Sequence, residues 1–299
     1  MRILLLGKNG QVGWELHRSL MVLGNIFALD RTQCDLSFPE KIPDVVRAFD
    51  PDVIVNTAAY TAVDKAEEDE ALATTVNATS VGVLAEEAYK LNSLLIHYST
   101  DYVFDGKKQG PYTEDDIPNP INVYGRSKLA GETAIIQSGC DYLIFRTSWV
   151  YAARGNNFLI TMLRLARERN ELRVVADQYG APTWARNIAD STAHAMVSAE
   201  RERQDGAFTS NVYHLSADGA TTWHGFTNAI IERARQLFPA GYIKTERVLP
   251  IATEDYPLLA ARPENSQLGT DALAARYGQT LPNWQESLKL CIDEMKSTH

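Results

Sequence analysis

Short apolar runs alternate with stretches of helical periodicity along the first half of the chain. Residues 2–6 form an apolar run that stops at Gly7, which is typical of a buried parallel strand. Apolar side chains then recur at helical spacing from Val12 to Leu23, and Gly24 ends this predicted helix. The alternation continues with predicted strands at 26–29, 52–56 and 94–98, and with predicted helices from residue 63 and at 77–91. This order predicts an α/β fold built on a doubly wound parallel sheet of the Rossmann type.

The second half of the chain carries more structural signals than chemical ones. Helical patterns cover 158–171 and 222–238, whereas 173–176 and 212–215 have the composition of strands. The mixed charges on the first of these helices are typical of a solvated face. We therefore expect this half to supply shape around a site whose chemistry comes mainly from the first half.

A glycine-rich turn separates the first predicted strand from the first predicted helix. The spacing Gly7, Gly10, Gly13 departs from the common Gly-x-Gly-x-x-Gly pattern, and Gln11 and Val12 complete the turn. Glycines at such a turn let the backbone approach a diphosphate, which the helix N-terminus attracts with free N–H groups. Simple turn chemistry is the alternative, but the flanking strand and helix favour dinucleotide binding.

An acidic and a basic residue follow the second predicted strand. Asp30 stands where an acid commonly binds the adenosine ribose, while the neighbouring Arg31 could accept a 2′-phosphate. The two residues favour opposite cofactors, so NADH against NADPH stays open. Asp35 and Leu36 lie in the next loop and could flank the adenine. The alternative for all of these residues is a plain turn.

Tyr124 and Lys128 are four residues apart, which places them on the same face of a helix. A free phenol has a pKa of about 10, and a nearby cation lowers it. A tyrosine tuned in this way can exchange a proton with a carbonyl or alcohol oxygen. Taken alone, the pair also fits an ordinary helix start with one aromatic side chain and one exposed lysine.

Composition and charge narrow the class of protein. The 299 residues carry a formal net charge of −9, which does not suggest a nucleic-acid partner. Hydrophobic residues make up 45% of the chain, enough for the core of one large or two ordinary domains. No apolar run reaches membrane length and no signal-peptide pattern opens the chain. The sequence thus predicts a cytoplasmic protein without a membrane partner.

Cysteine and histidine usage gives no sign of a metal site. Cys34, Cys140 and Cys291 are widely spaced, which suits a reducing compartment and excludes a disulfide framework. His97 and His214 lie within predicted strands and are interpreted as core residues. No group of His, Cys, Asp and Glu has metal-ligand spacing, so we predict no bound metal, although a Mg²⁺ requirement stays open.

Several motifs together make the chain resemble the extended short-chain dehydrogenase/reductase family. They are the glycine turn, a Ser-Thr-x-x-Val-Phe stretch after a strand, and the Tyr-x-x-x-Lys pair. Within this family the chain is most similar to the dTDP-4-dehydrorhamnose reductases, and the similarity covers essentially the whole chain. The matching stretches are residues 7–16, 52–67, 97–104, 122–125, 145–151, 155–158, 177–183 and 262–266.

The resemblance implies a reduction. Hydride would pass from NADPH or NADH to C4 of dTDP-4-dehydro-L-rhamnose and give dTDP-L-rhamnose, the last step before its use in cell-surface polysaccharide such as the lipopolysaccharide O-antigen. Tyr124 would protonate the incipient alkoxide, and Thr100 would hydrogen-bond the C4 oxygen. Lys128 would hold the nicotinamide ribose and lower the pKa of Tyr124. The chemistry is consistent, because arriving hydride builds negative charge on that oxygen.

The resemblance also assigns side chains around the two ligands. It implies that Asp101 and Trp149 meet the sugar, together with Thr100 and Tyr124. Trp149 could equally be a core aromatic residue. Arg262 could pair with the diphosphate or form a surface salt bridge. The residues implied to line the cofactor, besides those already named, are Ala59, Tyr60, Thr61 and Tyr98.

The implied organisation has two parts. Residues 1–150 would form the NAD(P)-binding Rossmann domain, and residues 151–299 mainly a smaller domain for the sugar nucleotide. The strands at 173–176 and 212–215 are expected to return to the main fold. The implied partner is a dTDP-sugar, and a homodimer is left open.

Two other function classes share this fold. An epimerase or 4,6-dehydratase is one, but dehydratases carry an acid where this chain has Tyr102. A regulatory subunit of methionine adenosyltransferase is the other, and the intact Tyr124, Lys128 and Thr100 argue against it. The stereochemistry at C4, which separates rhamnose from 6-deoxytalose, and the nucleotide base stay open.

Overall fold

A computed structural model describes residues 1–296 of the chain. Over these residues no helix is both long and apolar enough to cross a membrane, and no three His, Cys, Asp or Glu side chains are grouped as metal ligands. The strands are β1 (Arg2–Leu6), β2 (Asn25–Leu29), β3 (Val53–Asn56), β4 (Leu94–Thr100), β5 (Tyr142–Thr147), β6 (Val150–Tyr151), β7 (Glu171–Val175), β8 (Tyr179–Gly180), β9 (Thr183–Trp184), β10 (Asn211–His214), β11 (Thr221–Thr222) and β12 (Arg247–Ile251). The helices are α1 (Gln11–Leu20), α2 (Ile42–Phe49), α3 (Val63–Glu68), α4 (Glu70–Thr74), α5 (Ser80–Leu91), α6 (Val123–Ser138), α7 (Phe158–Glu168), α8 (Ala185–Gln204), α9 (Trp223–Leu237), α10 (Asp271–Tyr277) and α11 (Trp284–Lys296).

The main sheet has six parallel strands in the order β2-β1-β3-β4-β5-β10. The chain moves outward from β1 to β2 on one side and from β3 onward on the other. The strand order therefore reverses at β1, and a crevice opens there beyond the carboxyl ends of the strands. This arrangement confirms the predicted Rossmann-type fold.

Alternate residues of each central strand enter opposite layers. Leu5 of β1 packs with Leu16 of α1, in a core that α8 and α10 complete. Leu4 packs on the other face with Val46 of α2, in a core shared with α5 and α6. These leucines and this valine are fully buried, and each stabilises the fold by about 1.5–3 kcal/mol relative to an exposed position. Because both faces are covered, the strands read as apolar runs without alternation.

Two predicted helices have different limits in the structure. The helix predicted at 77–91 begins earlier, as α4, and passes through a π-helical turn at Thr75–Thr79 before α5. Within that turn the Asn77 side chain donates to the Tyr60 carbonyl oxygen and accepts from the Tyr60 N–H. These contacts hold Asn77 inward. In the second case, α7 ends at Glu168 because Arg169 is extended.

A second core lies in the C-terminal half, between α7, α9 and α11. β7 pairs in parallel with β12 in a separate sheet, with Leu172 and Val174 turned into this core. The expectation that the strand at 173–176 returns to the main fold is therefore wrong, since β7 pairs with β12 and its apolar face is covered here. β10, by contrast, lies beside β5 at the edge of the main sheet.

Candidate active site

A cleft of about 590 Å³ opens at the carboxyl ends of the central strands. Its size is typical of pockets for small molecules and cofactors. It runs from Asp30 and Arg31 after β2 to Tyr124 and Lys128 on α6. The residues that the sequence analysis assigned to a cofactor all line it: Gly7, Gly10, Gln11, Val12, Gly13, Asp30, Arg31, Asp35, Leu36, Ala59, Tyr60, Thr61, Tyr98 and Lys128.

Each of the three glycines in the turn meets a different structural requirement. Gly7 has φ +85°, and a Cβ there would lie 2.7 Å from the Thr57 Oγ1 atom. A Cβ on Gly13 would lie 2.1 Å from the Gly7 carbonyl oxygen. Gly10 is exposed, and a Cβ there would meet one atom, the Gly7 carbonyl oxygen at a tight 3.3 Å, so the described residues leave most of the space around it open. Since Gly10 offers no side-chain cap to α1, the open space fits a diphosphate at the helix N-terminus.

The Asp30 end of the cleft is polar and partly fixed. The Asp30 carboxylate accepts hydrogen bonds from the Thr32 hydroxyl at 2.6 Å and the Thr32 N–H at 3.0 Å. The Thr32 hydroxyl is the main group that lowers the pKa of Asp30, and Lys8, at 3.5 Å, also lowers it. Arg31 is exposed and pairs with Asp35 at 3.1 Å. Because an exposed pair of this kind is weak, the Arg31 side chain is available to a ligand.

Tyr124 lines the other end of the cleft, and Thr100 and Asp101 are buried beside it without being part of the lining. Asn122 caps α6 by accepting from the Gly125 N–H at 2.7 Å, which places Tyr124 in the first turn. The Thr100 hydroxyl donates to the Asp101 carboxylate at 2.9 Å and lies beside the Tyr124 phenol. Burial raises the pKa of Tyr124 to about 12, and the Thr100 hydroxyl lowers it only in part. The phenol is therefore protonated at neutral pH.

Lys128 is buried beneath the same end of the cleft. Its Nζ atom donates to the Tyr98 carbonyl oxygen at 2.6 Å and lies 3.2 Å from the His97 Nε2 atom. Burial lowers the pKa of Lys128 to about 8. In this structure burial and the Asp101 charge raise the pKa of Tyr124 and the Thr100 hydroxyl lowers it, so an effect of Lys128 on that pKa stays a prediction.

Asp101 is the second buried acid of the site. Burial raises its pKa to about 6, and hydrogen bonds from hydroxyl groups, including that of Thr100, offset this effect only in part. At neutral pH the carboxylate is ionised, and its charge helps to raise the pKa of Tyr124. The two acids thus hold different protonation states side by side.

Trp149 and Arg262 lie outside the cleft lining. Trp149 has φ +46°, rare for a bulky residue, and it stacks on Trp223 with ring centroids 3.5 Å apart. It is half-buried and therefore not a core aromatic residue. The Arg262 guanidinium donates to the Asp64 carboxylate at 2.7 Å, so the structure contains the salt bridge that the sequence left as one alternative. Backbone strain of the kind seen at Trp149 is concentrated at functional sites.

The loop between β6 and α7 was not assigned to the site from the sequence. Arg154, Gly155 and Asn156 line the cleft. The loop is attached to the glycine turn, since Asn157 donates to the Gln11 side-chain oxygen at 2.9 Å. The only signal in the sequence was that this stretch matches the resembled family.

The chain is similar to known proteins over nearly its whole length. The family model described as the RmlD substrate binding domain matches residues 1–297. The dTDP-4-dehydrorhamnose reductase of Burkholderia thailandensis is 54% identical to the chain, over 99% of the chain and 100% of that protein.

Two solved structures are similar over their full length. The dTDP-4-dehydrorhamnose reductase ortholog from Clostridium acetobutylicum has a TM-score of 0.89 and 34% identity, covering 99% of this chain and 100% of that one. The dTDP-4-dehydrorhamnose reductase from Bacillus anthracis, solved in complex with NADP, has a TM-score of 0.87 and 34% identity, covering 98% and 99%. The similarity therefore includes both the sheet with its cleft and the C-terminal half.

Proposed function

Because the chain belongs to the dTDP-4-dehydrorhamnose reductase family, we propose that it reduces dTDP-4-dehydro-L-rhamnose to dTDP-L-rhamnose with NADPH or NADH. The observation that carries this proposal is that Tyr124 and Lys128 line the same cleft as the glycine turn, with Thr100 buried beside Tyr124. The reaction completes the synthesis of the activated sugar.

The residues present fit a dinucleotide. The open space at Gly10 and the uncapped N-terminus of α1 would hold the diphosphate, and Asp30 or Arg31 would bind the adenosine end. When bound, the dinucleotide supplies the hydride for the carbonyl carbon of the sugar. Lys128 lines the same cleft and would hold the ribose next to the nicotinamide.

The side chains of this protein then manage the proton. Hydride arrival leaves negative charge on the sugar oxygen, so a donor must be in place. Tyr124 enters the reaction with its proton, because burial keeps the phenol neutral. The Thr100 hydroxyl lies beside that phenol and would turn its hydrogen from Asp101 to the same oxygen as a second hydrogen bond. A protonated acid beside the site suits reduction rather than oxidation.

We assign the sugar nucleotide to the remaining residues of the site. Asp101 and Trp149 would contact the sugar, and Arg262 would pair with the diphosphate after exchanging its bond to Asp64. Support comes from the position of Asp101 beside Thr100 and from the strained backbone of Trp149. In this assignment residues 1–150 serve the cofactor, and the C-terminal half mainly serves the sugar nucleotide.

The experiment follows NADPH consumption with dTDP-4-dehydro-L-rhamnose for the wild type and for Tyr124→Phe. General acid catalysis contributes typically 10²–10⁴-fold, so turnover by the variant should fall by at least about a hundredfold. Cofactor affinity should barely change, since the glycine turn and Lys128 are intact. Tyr89→Phe is the matched control, because Tyr89 is an exposed tyrosine on α5. Wild-type turnover by Tyr124→Phe would show that Tyr124 is not the proton donor.

A further inference from the structure

Lys128 has an unusual environment for a cation. Its two polar contacts, the Tyr98 carbonyl oxygen and the His97 imidazole, are both neutral groups. The carboxylate that acts on it, that of Glu132, is already bound through both oxygens by Arg146 at 2.7 and 3.0 Å. A buried ammonium without a close anion is costly, so its neutral form is favoured.

The tautomer of His97 follows from its other neighbour. The Asn56 side-chain oxygen accepts from the Ala58 N–H at 3.1 Å, which leaves the Asn56 amide nitrogen 3.2 Å from the His97 Nδ1 atom. An amide nitrogen only donates, so Nδ1 must accept. Burial keeps His97 neutral by holding its pKa well below the usual range, and Lys128 adds to this effect. A neutral imidazole that accepts at Nδ1 carries its proton on Nε2.

The His97 Nε2–H is therefore directed at Lys128. An ammonium has no lone pair to accept it, whereas a neutral amine does. The network is complete when Lys128 is an amine that donates to Tyr98 and accepts from His97. We infer that His97 is a positioning residue that favours the neutral amine of Lys128 in the cofactor-free protein, so that cofactor binding at mildly alkaline pH draws one proton from solvent onto Lys128.

The proton balance of this step is simple. The buffer loses a proton and the amine becomes an ammonium, which releases its bond from His97 and turns its hydrogens toward the cleft. Ribose hydroxyls accept such hydrogens, and a dinucleotide carries negative charge, so both favour the charged form. The inference rests on the proposed function only in taking a nicotinamide dinucleotide as the ligand.

The other titratable groups around Lys128 do not account for the uptake of a proton on cofactor binding. His97 on β4 stays neutral, and Tyr124, one turn earlier on α6, stays protonated because its pKa is about 12. Glu132, one turn later, is bound to Arg146 of β5. The phosphates of NADPH have pKa values of about 6 or lower and are fully ionised above pH 8. Cys34 also lines the cleft, but burial raises the pKa of its thiol above 9.0, so the thiol is already mostly protonated between about pH 8 and 9. Proton uptake in that interval would therefore report on Lys128.

The experiment titrates the wild-type protein with NADPH in a calorimeter, in two buffers of different ionisation enthalpy. At about pH 9 we expect an uptake close to one proton per NADPH, and at about pH 7 only a small fraction. If NADPH binds at both pH values without proton uptake, the inference about His97 is overturned and the proposed function is untouched. If neither NADPH nor NADH binds, the proposed function itself fails.

Two variants test whether the tautomer of His97, and not burial alone, keeps Lys128 neutral. Asn56→Asp keeps the bond from Ala58 but offers Nδ1 a carboxylate, which moves the imidazole proton to Nδ1 and lets Nε2 accept from an ammonium. Proton uptake at about pH 9 should then fall to less than about half of the wild-type value. His214→Gln is the control, because His214 is a buried histidine that hydrogen-bonds to Tyr112 and Gly269 away from the cleft. Proton uptake by this variant should match that of the wild type. Unchanged uptake in folded Asn56→Asp would contradict the inference, and the wild-type titration decides it should that variant not fold.

Discussion

At the scale of single residues, Thr100 lies between two buried acids with opposite protonation at neutral pH. Burial acts on both, but it raises the pKa of Tyr124 to about 12 and that of Asp101 only to about 6. Asp101 is therefore an anion next to a neutral phenol. This anion makes Tyr124 hold its proton more firmly, and we interpret it as a reason why the phenol is a donor rather than a base.

The buried Asp101 carboxylate should reduce stability in a pH-dependent way. Its pKa is raised from 3.8 to about 6 in the folded protein, so the cost is absent below about pH 4 and complete above about pH 6. Asp101→Asn removes the charge and should raise the free energy of unfolding by about 3 kcal/mol at neutral pH, with the gain vanishing toward pH 4. Urea unfolding at several pH values measures this. Asp205→Asn, an exposed control, should show no such trend, and a flat profile for Asp101→Asn would contradict the burial argument.

At the scale of elements, the glycine turn combines a packing requirement with a binding space. Gly13→Ala would place a Cβ 2.1 Å from the Gly7 oxygen, so it should destabilise the fold. Gly10→Ala would bring its Cβ to 3.3 Å from the Gly7 oxygen, which needs only a small shift of the turn, so it should destabilise the fold much less than Gly13→Ala while its Cβ enters the space proposed for the diphosphate. Cofactor affinity should therefore fall at least about tenfold, or 1.4 kcal/mol. Melting temperature and cofactor titration distinguish the two variants, and normal cofactor affinity in Gly10→Ala would mean that the turn is only structural.

Elements with a strong local pattern could be predicted from the sequence. β1, the glycine turn and β4 follow from apolar runs and from glycine spacing, both of which are local. The π-helical turn could not be predicted, because it depends on contacts of Asn77 with Tyr60 and with Ser127, distant in the chain. The partner of β7 could not be predicted either, since strand composition does not say which strand lies beside it.

The candidate site divides in the same way. The spacing of Tyr124 and Lys128 pointed to paired chemistry, and family resemblance added Thr100. The contacts of Lys128 with His97 and the position of Arg154 were not readable, because they join separate strands and loops. The sequence predicts His97 only as a core residue, and its burial confirms this. The sequence does not show that His97 also contacts the amine of Lys128.

At the scale of the whole molecule, the C-terminal half is tied to the first half next to the site. Arg262 bonds to Asp64 at the start of α3, and Asn122, the cap of α6, donates to the Ala261 carbonyl oxygen at 2.8 Å. The loop that carries Arg262 therefore contacts the same helix cap that orients Tyr124. If Arg262 binds the sugar nucleotide as proposed, its binding is coupled through these contacts to the position of Tyr124.

The role of Arg262 can be separated from that of its salt bridge. If the guanidinium pairs with the substrate diphosphate, Arg262→Met should raise KM for the sugar nucleotide at least about tenfold with little change in kcat. Asp64→Asn removes the salt bridge but keeps the guanidinium, so its KM should change much less. Steady-state kinetics of both variants decide this, with cofactor affinity as a check on folding. Equal increases in KM would mean that Arg262 acts only by holding the loop.

The most direct test of the account is the identity of the product. The wild-type protein is incubated with dTDP-4-dehydro-L-rhamnose and NADPH, and the sugar is identified by NMR. We predict dTDP-L-rhamnose, with one NADPH consumed for each molecule formed. Recovery of the ketone, an epimerised ketone without loss of NADPH, or a 6-deoxytalose product would contradict it.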